Sequence, residues 1–426
     1  MTAEIAILNR IGVALGADSA VTIGPRADKI WTSADKLFQL SEIDPVGLMV
    51  YGNAELLGVP WETIVKTYRT QHGKTSLQTL DQHLESLLAF LRSSPSMFPP
   101  QRQDFWSLEL ALILLLHLRD RLGRRLDDEA ERRNGLTEKE IPPLVREETL
   151  KLVKALRKQK PISGISAEVR GRLRRRFAEE IEKRRVQVFD KLPMSKKTSR
   201  AITSSVVLMW TRQYLGIAKT GVVVAGFGAA EFLPGLGAFE IEAFIDGLPR
   251  LKRTTQESTR IDENNESMVI PFAQDDVVHT FMSGIAPPVK KATRRSAEQL
   301  FVDTFQAVID AVSSVAPDAS GKLTAIKGQL RVLCEKMFQE WDKAEELHWE
   351  PVVRNIATLP KDELAAMAEA FVNLTKFRRR VTTERETVGG PIDVAVITKG
   401  DGFVWVRRKH YFDPALNPRF FSRIRP

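Results

Sequence analysis

The sequence predicts an α+β fold in which two antiparallel sheets are covered by helices. Strand-like segments fall into three separate blocks along the chain. Stretches with helical apolar spacing lie between those blocks. One of them, from about Gln101 to Tyr214, changes character altogether and is dense in Arg, Lys and Glu. Strand blocks divided by helical blocks suit layered sheets with helices on them rather than an all-α or all-β chain.

The first block opens with a hairpin. Ile5 and Ile7 alternate with Ala6 and Leu8, Asn9 to Gly12 turns, and VALGADSAV runs back. KLFQL (Lys36 to Leu40) and VGLMVYG (Val46 to Gly52) follow as strands. Pro60 opens a helix, and a second begins near Thr75. The charged stretch reads as several helices punctuated by Pro142, Pro143, Pro161 and Pro193. Strands return over Thr220 to Gly228, Gly237 to Gly247 and Ser267 to Gln274. Helices then run from Asp275 to Arg380. One carries a stripe of Leu300, Phe301, Phe305, Val308, Ile309 and Val312, another a stripe of Leu364, Met367, Phe371 and Leu374. PIDVAVI and GFVWVRRK close the chain as a strand pair about Asp401-Gly402. The expected organisation is 1–100, then a basic helical insertion over 101–215, then 216–426.

Composition bounds the class. The 426 residues are 43% hydrophobic and 27% charged, as in a globular protein with a sizeable core. The single cysteine, Cys334, sits in a helical pattern and is expected in the core; with no second one to pair with, a reducing compartment fits. The N-terminus lacks the pattern of a signal peptide, and the apolar run Leu110 to Leu116 is too short to cross a bilayer. A cytoplasmic location without membrane contact is the expectation. The six histidines show no metal-ligand spacing, and neither metal nor cofactor is expected.

Net charge is +9, which permits acidic partners. Glu179, Glu180 and Glu182 nonetheless interleave with the arginines of Arg170 to Arg185. That favours a solvated or subunit-facing helix over a nucleic-acid surface. Gly73-Lys74-Thr75 lacks the first glycine and the preceding strand of a phosphate loop, and the glycines at 226 and 228 mark a turn.

The chemistry is carried by the first hairpin. With Arg10-Ile11 as a two-residue turn, paired positions sum to about 21, placing Thr2 opposite Ser19 and Asp18 opposite Ala3, roughly 5 Å away. Asp18 therefore lands beside the start of the chain. Lys36 shares a face with Phe38 and Leu40; on such a face a lysine snorkels or finds a carboxylate, and Asp18 is a candidate. Taken singly, these are an ordinary second residue, a strand-end carboxylate and a strand lysine. Their coincidence points to a site.

Thr2, VALGADSAVT, KLFQL, MVYGNAE (Met49 to Glu55) and the Gly389-Gly390 step into the last strand pair resemble the proteasome β-subunit and the bacterial HslV peptidase. The resemblance implies a four-layer αββα N-terminal-nucleophile (Ntn) hydrolase sandwich with a helical insertion. It further implies that removal of Met1 exposes Thr2 as the nucleophile, with its own α-amine as base. Lys36 would lower that amine's pKa and Asp18 would hold Lys36. A backbone N–H of Tyr51 or Gly52 would receive the oxyanion. The supporting acid would be Glu384 or Glu386, near Arg385, and the supporting hydroxyl position falls among Gln274, Asp275 and Ser283. Implied partners are a peptide or protein substrate, a homo-oligomer and an ATP-dependent unfoldase. The alternatives are an inactive scaffold of the same fold and, more weakly, nucleic-acid binding through the insertion.

Overall fold

The structure is a computed structural model. It describes residues 2–23, 29–216, 218–254, 258–315, 320–382 and 388–419. The first strands are β1 (Ala3–Asn9), β2 (Gly12–Asp18), β3 (Val21–Ile23), β4 (Lys29–Trp31), β5 (Leu37–Gln39), β6 (Val46–Gly52), β7 (Glu55–Leu56) and β8 (Val59–Pro60). Six helices follow: α1 (Trp61–His72), α2 (Leu80–Arg92), α3 (Pro100–Arg133), α4 (Ile141–Lys158), α5 (Ala167–Phe189) and α6 (Lys196–Trp210). Then come β9 (Thr220–Gly226), β10 (Gly235–Ile245), β11 (Leu248–Arg253), β12 (Thr259–Arg260) and β13 (Ser267–Ala273). The chain continues through α7 (Asp276–Ser283), α8 (Pro287–Val315), α9 (Ser320–Ile356) and α10 (Lys361–Val381) to β14 (Ile392–Thr398) and β15 (Gly402–Arg407). The class is α+β, with two main sheets that each carry helices and a helical insertion between β8 and β9.

The chain divides into two units. One comprises Met1–Leu37, Glu231–Gly235 and Arg260–Pro426. Its sheet runs β13-β1-β2-β14-β15, antiparallel throughout. Glu4 pairs with Ala17, Ile5 with Gly16 and Leu8 with Val13, the register that the two-residue turn dictates. Asn9 locks that turn: its Oδ1 accepts from the N–H of Ile11 and of Gly12, and its Nδ2 donates to the carbonyls of Ile356 and Leu359. Helix α10 lies on β1, β2 and β14. Ile5, Ile7, Val394 and Val396 pack there with Leu364, Ala368, Phe371 and Val372.

Two apolar stripes differ from expectation. In α10 the sheet-facing residues are Leu364, Ala365, Ala368, Phe371, Val372 and Thr375, while Leu374 is exposed. The face with the two alanines is chosen because β2 comes close: a Cβ on Gly16 would stand 3.2 Å from the Ala368 carbonyl oxygen. In α8 only Phe305 of the expected stripe is buried, and Leu300 is exposed. Polar contacts set that helix's orientation instead. Arg294 reaches Asp342 of α9 at 2.5 Å and lies over the Phe338 ring, and Lys290 meets Asp342 at 3.1 Å. Cys334 is buried and free, in α9.

The other unit comprises Phe38–Ala230 and Leu236–Thr259. Its sheet runs β11-β10-β9-β6-β5. Trp61, Leu115, Trp210, Val222 and Phe239 share its core, and α3 packs with α4, α5 and α6. Pro60 caps α1 as the sequence suggests. Helix α2 starts later than Thr75, at Leu80, because Thr79 and Gln82 form a reciprocal capping box there. Arg250 is fully buried: it pairs with Glu242 at 2.9 Å and donates to the carbonyls of Met209 and Tyr214.

Candidate active site

The N-terminal end of β1 and the C-terminal end of β2 are neighbours because the hairpin register makes them so. Thr2, Glu4 and Asp18 are buried there, as is Lys36, which immediately precedes β5. Asp18 is held from several sides. Its Oδ1 accepts from the Ala3 N–H at 3.1 Å and from Lys36 Nζ at 2.5 Å. Its Oδ2 accepts from the Ala20 N–H at 3.2 Å and from the Gly389 N–H at 2.9 Å. A group surrounded by donors on both oxygens acts as an acceptor-only carboxylate, and each such bond is stronger than a neutral one.

The Gly389-Gly390 step is part of this cradle. Gly390 has φ +76°, and a Cβ there would stand 2.6 Å from the Thr32 carbonyl oxygen. Only glycine accepts both the left-handed conformation and that approach. Lys376 of α10 donates to the Gly390 carbonyl at 2.9 Å, and the Ser19 N–H donates to the Gly389 carbonyl at 3.2 Å. The segment that offers an N–H to Asp18 is therefore fixed from two directions.

Glu4 is the residue that the sequence reasoning missed. Its Oε1 lies 3.1 Å from Lys36 Nζ, so the lysine stands between two carboxylates. Both Glu4 oxygens and the Thr2 hydroxyl are buried without a well-aligned hydrogen bond among the described residues. Burial pushes the Glu4 carboxyl up to about 7 from an ordinary 4.5. Lys36 and the nearby Thr2 hydroxyl oppose that rise, and the charge of Asp18 adds to it. The signal was available. Thr2 immediately precedes β1, Glu4 comes two residues after it, and Glu4 is the only polar residue between Ala3 and Leu8.

The remaining expected positions sit on other elements. Tyr51 is buried in β6 opposite Gly221, and a Cβ on Gly221 would overlap the Tyr51 ring. Gly52 ends β6 with φ +83°. Both belong to the second unit. Gln274 is buried just after β13 and lines a cavity of about 10 Å³ with Ala3, Glu4, Phe371 and Thr375. Asp275 is exposed at the start of α7, and the Ser283 hydroxyl donates to the carbonyls of His279 and Ile285. Met1, Glu384, Arg385 and Glu386 lie outside the described residues. Among the described residues no helix is long and apolar enough to cross a membrane.

No protein-family model matches the chain, and no curated protein matches it. Solved structures do. An Anbu (Gly-1) mutant from Hyphomicrobium sp. strain MC1 is 13% identical over 100% of this chain and 95% of its own, with a TM-score of 0.30. Anbu (ancestral beta-subunit) from Yersinia bercovieri is 10% identical over 99% and 94%, with a TM-score of 0.28. A helical assembly of the Anbu complex from Pseudomonas aeruginosa is 10% identical over 99% and 93%, with a TM-score of 0.27. These matches correct the family assignment made from the sequence. The neighbours are Anbu proteins rather than the proteasome β-subunit or HslV, and at these TM-scores the likeness carries no argument about activity.

Proposed function

We propose that the protein hydrolyses amide bonds, with peptides as the substrate class, through Thr2 once the Met1–Thr2 bond is cut. The observation that supports this reading is the buried Asp18–Lys36 pair beside Thr2, with Asp18 held by three backbone N–H groups. A threonine hydroxyl needs a neighbouring group to take its proton and a fixed charge to steer it. A lysine clamped by a carboxylate supplies the fixed charge. The hydroxyl attacks the amide carbonyl, the amine leaves, and water releases the ester. An inactive protein of the same architecture is the second reading, favoured by the burial of Thr2.

Intact mass after incubation with a threonine-directed electrophile separates the two. The reading expects one adduct on a chain that begins at Thr2, lost in Thr2→Ala. A chain that keeps Met1, or takes no adduct while folded, excludes catalysis by Thr2.

A further inference from the structure

We propose that the Glu4 carboxylate, rather than the freed α-amine, is the general base that takes the Thr2 hydroxyl proton. This rests on the reading of Thr2 as nucleophile and specifies how it is activated. Glu4 is the second residue of β1 and Thr2 stands two positions before it, with its hydroxyl close enough to the Glu4 carboxyl to oppose the rise in that group's pKa. Both are buried, and neither has a well-aligned hydrogen bond among the described residues. A buried carboxylate with free acceptor capacity next to a buried hydroxyl is the arrangement that receives a proton.

The charges around the site point the same way. Among the described residues, the charged groups that act on Glu4 are Lys36 and Asp18. With Glu4 ionised, the cluster holds two negative charges and one positive. A net negative neighbourhood stabilises the protonated form of any amine freed at Thr2. The amine would then be an ammonium at neutral pH and a poor base. The same desolvation that brings Glu4 to about 7 gives it a basicity matched to proton transfer near neutrality. In the first half-reaction the Thr2 Oγ1–carbonyl carbon bond forms as the hydroxyl proton passes to Glu4. The C–N bond then breaks and the leaving amine takes that proton. In the second, Glu4 takes a proton from the attacking water and returns it to Oγ1 as the ester cleaves.

The test is the pH profile of ester formation on the full-length protein with a peptidyl β-lactone, read by intact mass from pH 5 to 9. The expected wild-type rate rises through one inflection near 7. Glu4→Gln should lower the plateau about 100-fold, the lower range for a lost general base. What remains should inflect near the ordinary α-amine value of about 8. Glu4→Asp should restore part of the rate. Glu4→Gln reacting at the wild-type rate with an unchanged profile would overturn the assignment and leave Thr2 as nucleophile intact. A Glu4→Gln profile that keeps the wild type's inflection, at whatever rate, also overturns it. A folded wild type that takes no adduct removes the reading of Thr2 and this inference together.

Discussion

Glu4 also has a consequence for stability, separate from catalysis. Its folded-state pKa of about 7 lies above the ordinary 4.5, so the folded chain binds this proton more tightly than the unfolded chain. The contribution is fully present below the unfolded value and is lost as pH rises through the folded one. A shift of that size corresponds to on the order of 3 kcal/mol. The urea midpoint of the wild type should therefore fall between pH 5 and pH 8 relative to that of Glu4→Gln, which lacks this titration. A midpoint difference between the two proteins that does not move with pH would contradict the assignment. Asp18→Asn keeps the shape but removes the charge facing Lys36. The β-lactone rate should drop by at least about 10-fold, with a far-UV spectrum like the wild type's.

Asp18 and Lys36 were legible as single residues because a turn count and a face argument sufficed to pair them. Glu4 is not legible in the same way, because Asp18 alone satisfies the charge of Lys36. Nothing in sequence spacing says that one lysine will sit between two carboxylates.

At the scale of elements, the second unit is held by a polar pin. Arg250 of β11 and Glu242 of β10 are buried as a pair, and Arg250 also ties down the carbonyls of Met209 and Tyr214, at and beyond the end of α6. Removing one partner leaves the other charge buried alone, which costs about 3–5 kcal/mol. Arg250→Met should lower the denaturant midpoint accordingly, and Arg250→Met with Glu242→Gln together should recover part of it. A second element-scale test concerns β9. Gly221→Ala drives a methyl into the Tyr51 ring and should cost about 1–3 kcal/mol as overpacking, with Tyr51→Ala in the same chain relieving the clash.

The start of α1 is readable from Pro60, whereas that of α2 lies later than its apolar pattern suggests because the Thr79–Gln82 capping box sets it. The stripes of α8 and α10 are less readable. Periodicity shows that a face is apolar. It does not say whether alanines will outcompete leucines for the sheet, or whether Arg294 and Lys290 will turn a helix toward its acidic neighbours. The basic character of α5 is legible in its sequence, but the acids its arginines meet are not: Arg172 pairs with Asp246 and Arg176 with Asp104.

For the whole molecule, the sequence showed the layer inventory but not the partition. The first unit is assembled from both ends of the chain, and the second from most of what lies between. Pairings such as β1 with β13 and β2 with β14 join segments hundreds of residues apart, and no local pattern announces them. With pI about 9.5, the chain invites weak association with polyanions. Any shift of a short duplex should vanish between about 50 and 200 mM salt, as expected of non-specific phosphate contacts. Binding that persists at the higher concentration would return the insertion to the list of nucleic-acid surfaces.

Strand β2 gains its second neighbour only when β14 has been made. Synthesis at roughly 5–20 residues per second leaves on the order of half a minute between the two strands. Throughout that interval Asp18 lacks the N–H of Gly389, and one edge of the first hairpin is bare. The growing chain thus carries Thr2 and Asp18 long before it carries the backbone that completes the cradle around Asp18. A ribosome-bound intermediate stalled before residue 388 should be inert toward the β-lactone and readily captured by a chaperone, and release of the finished chain should switch both properties at once.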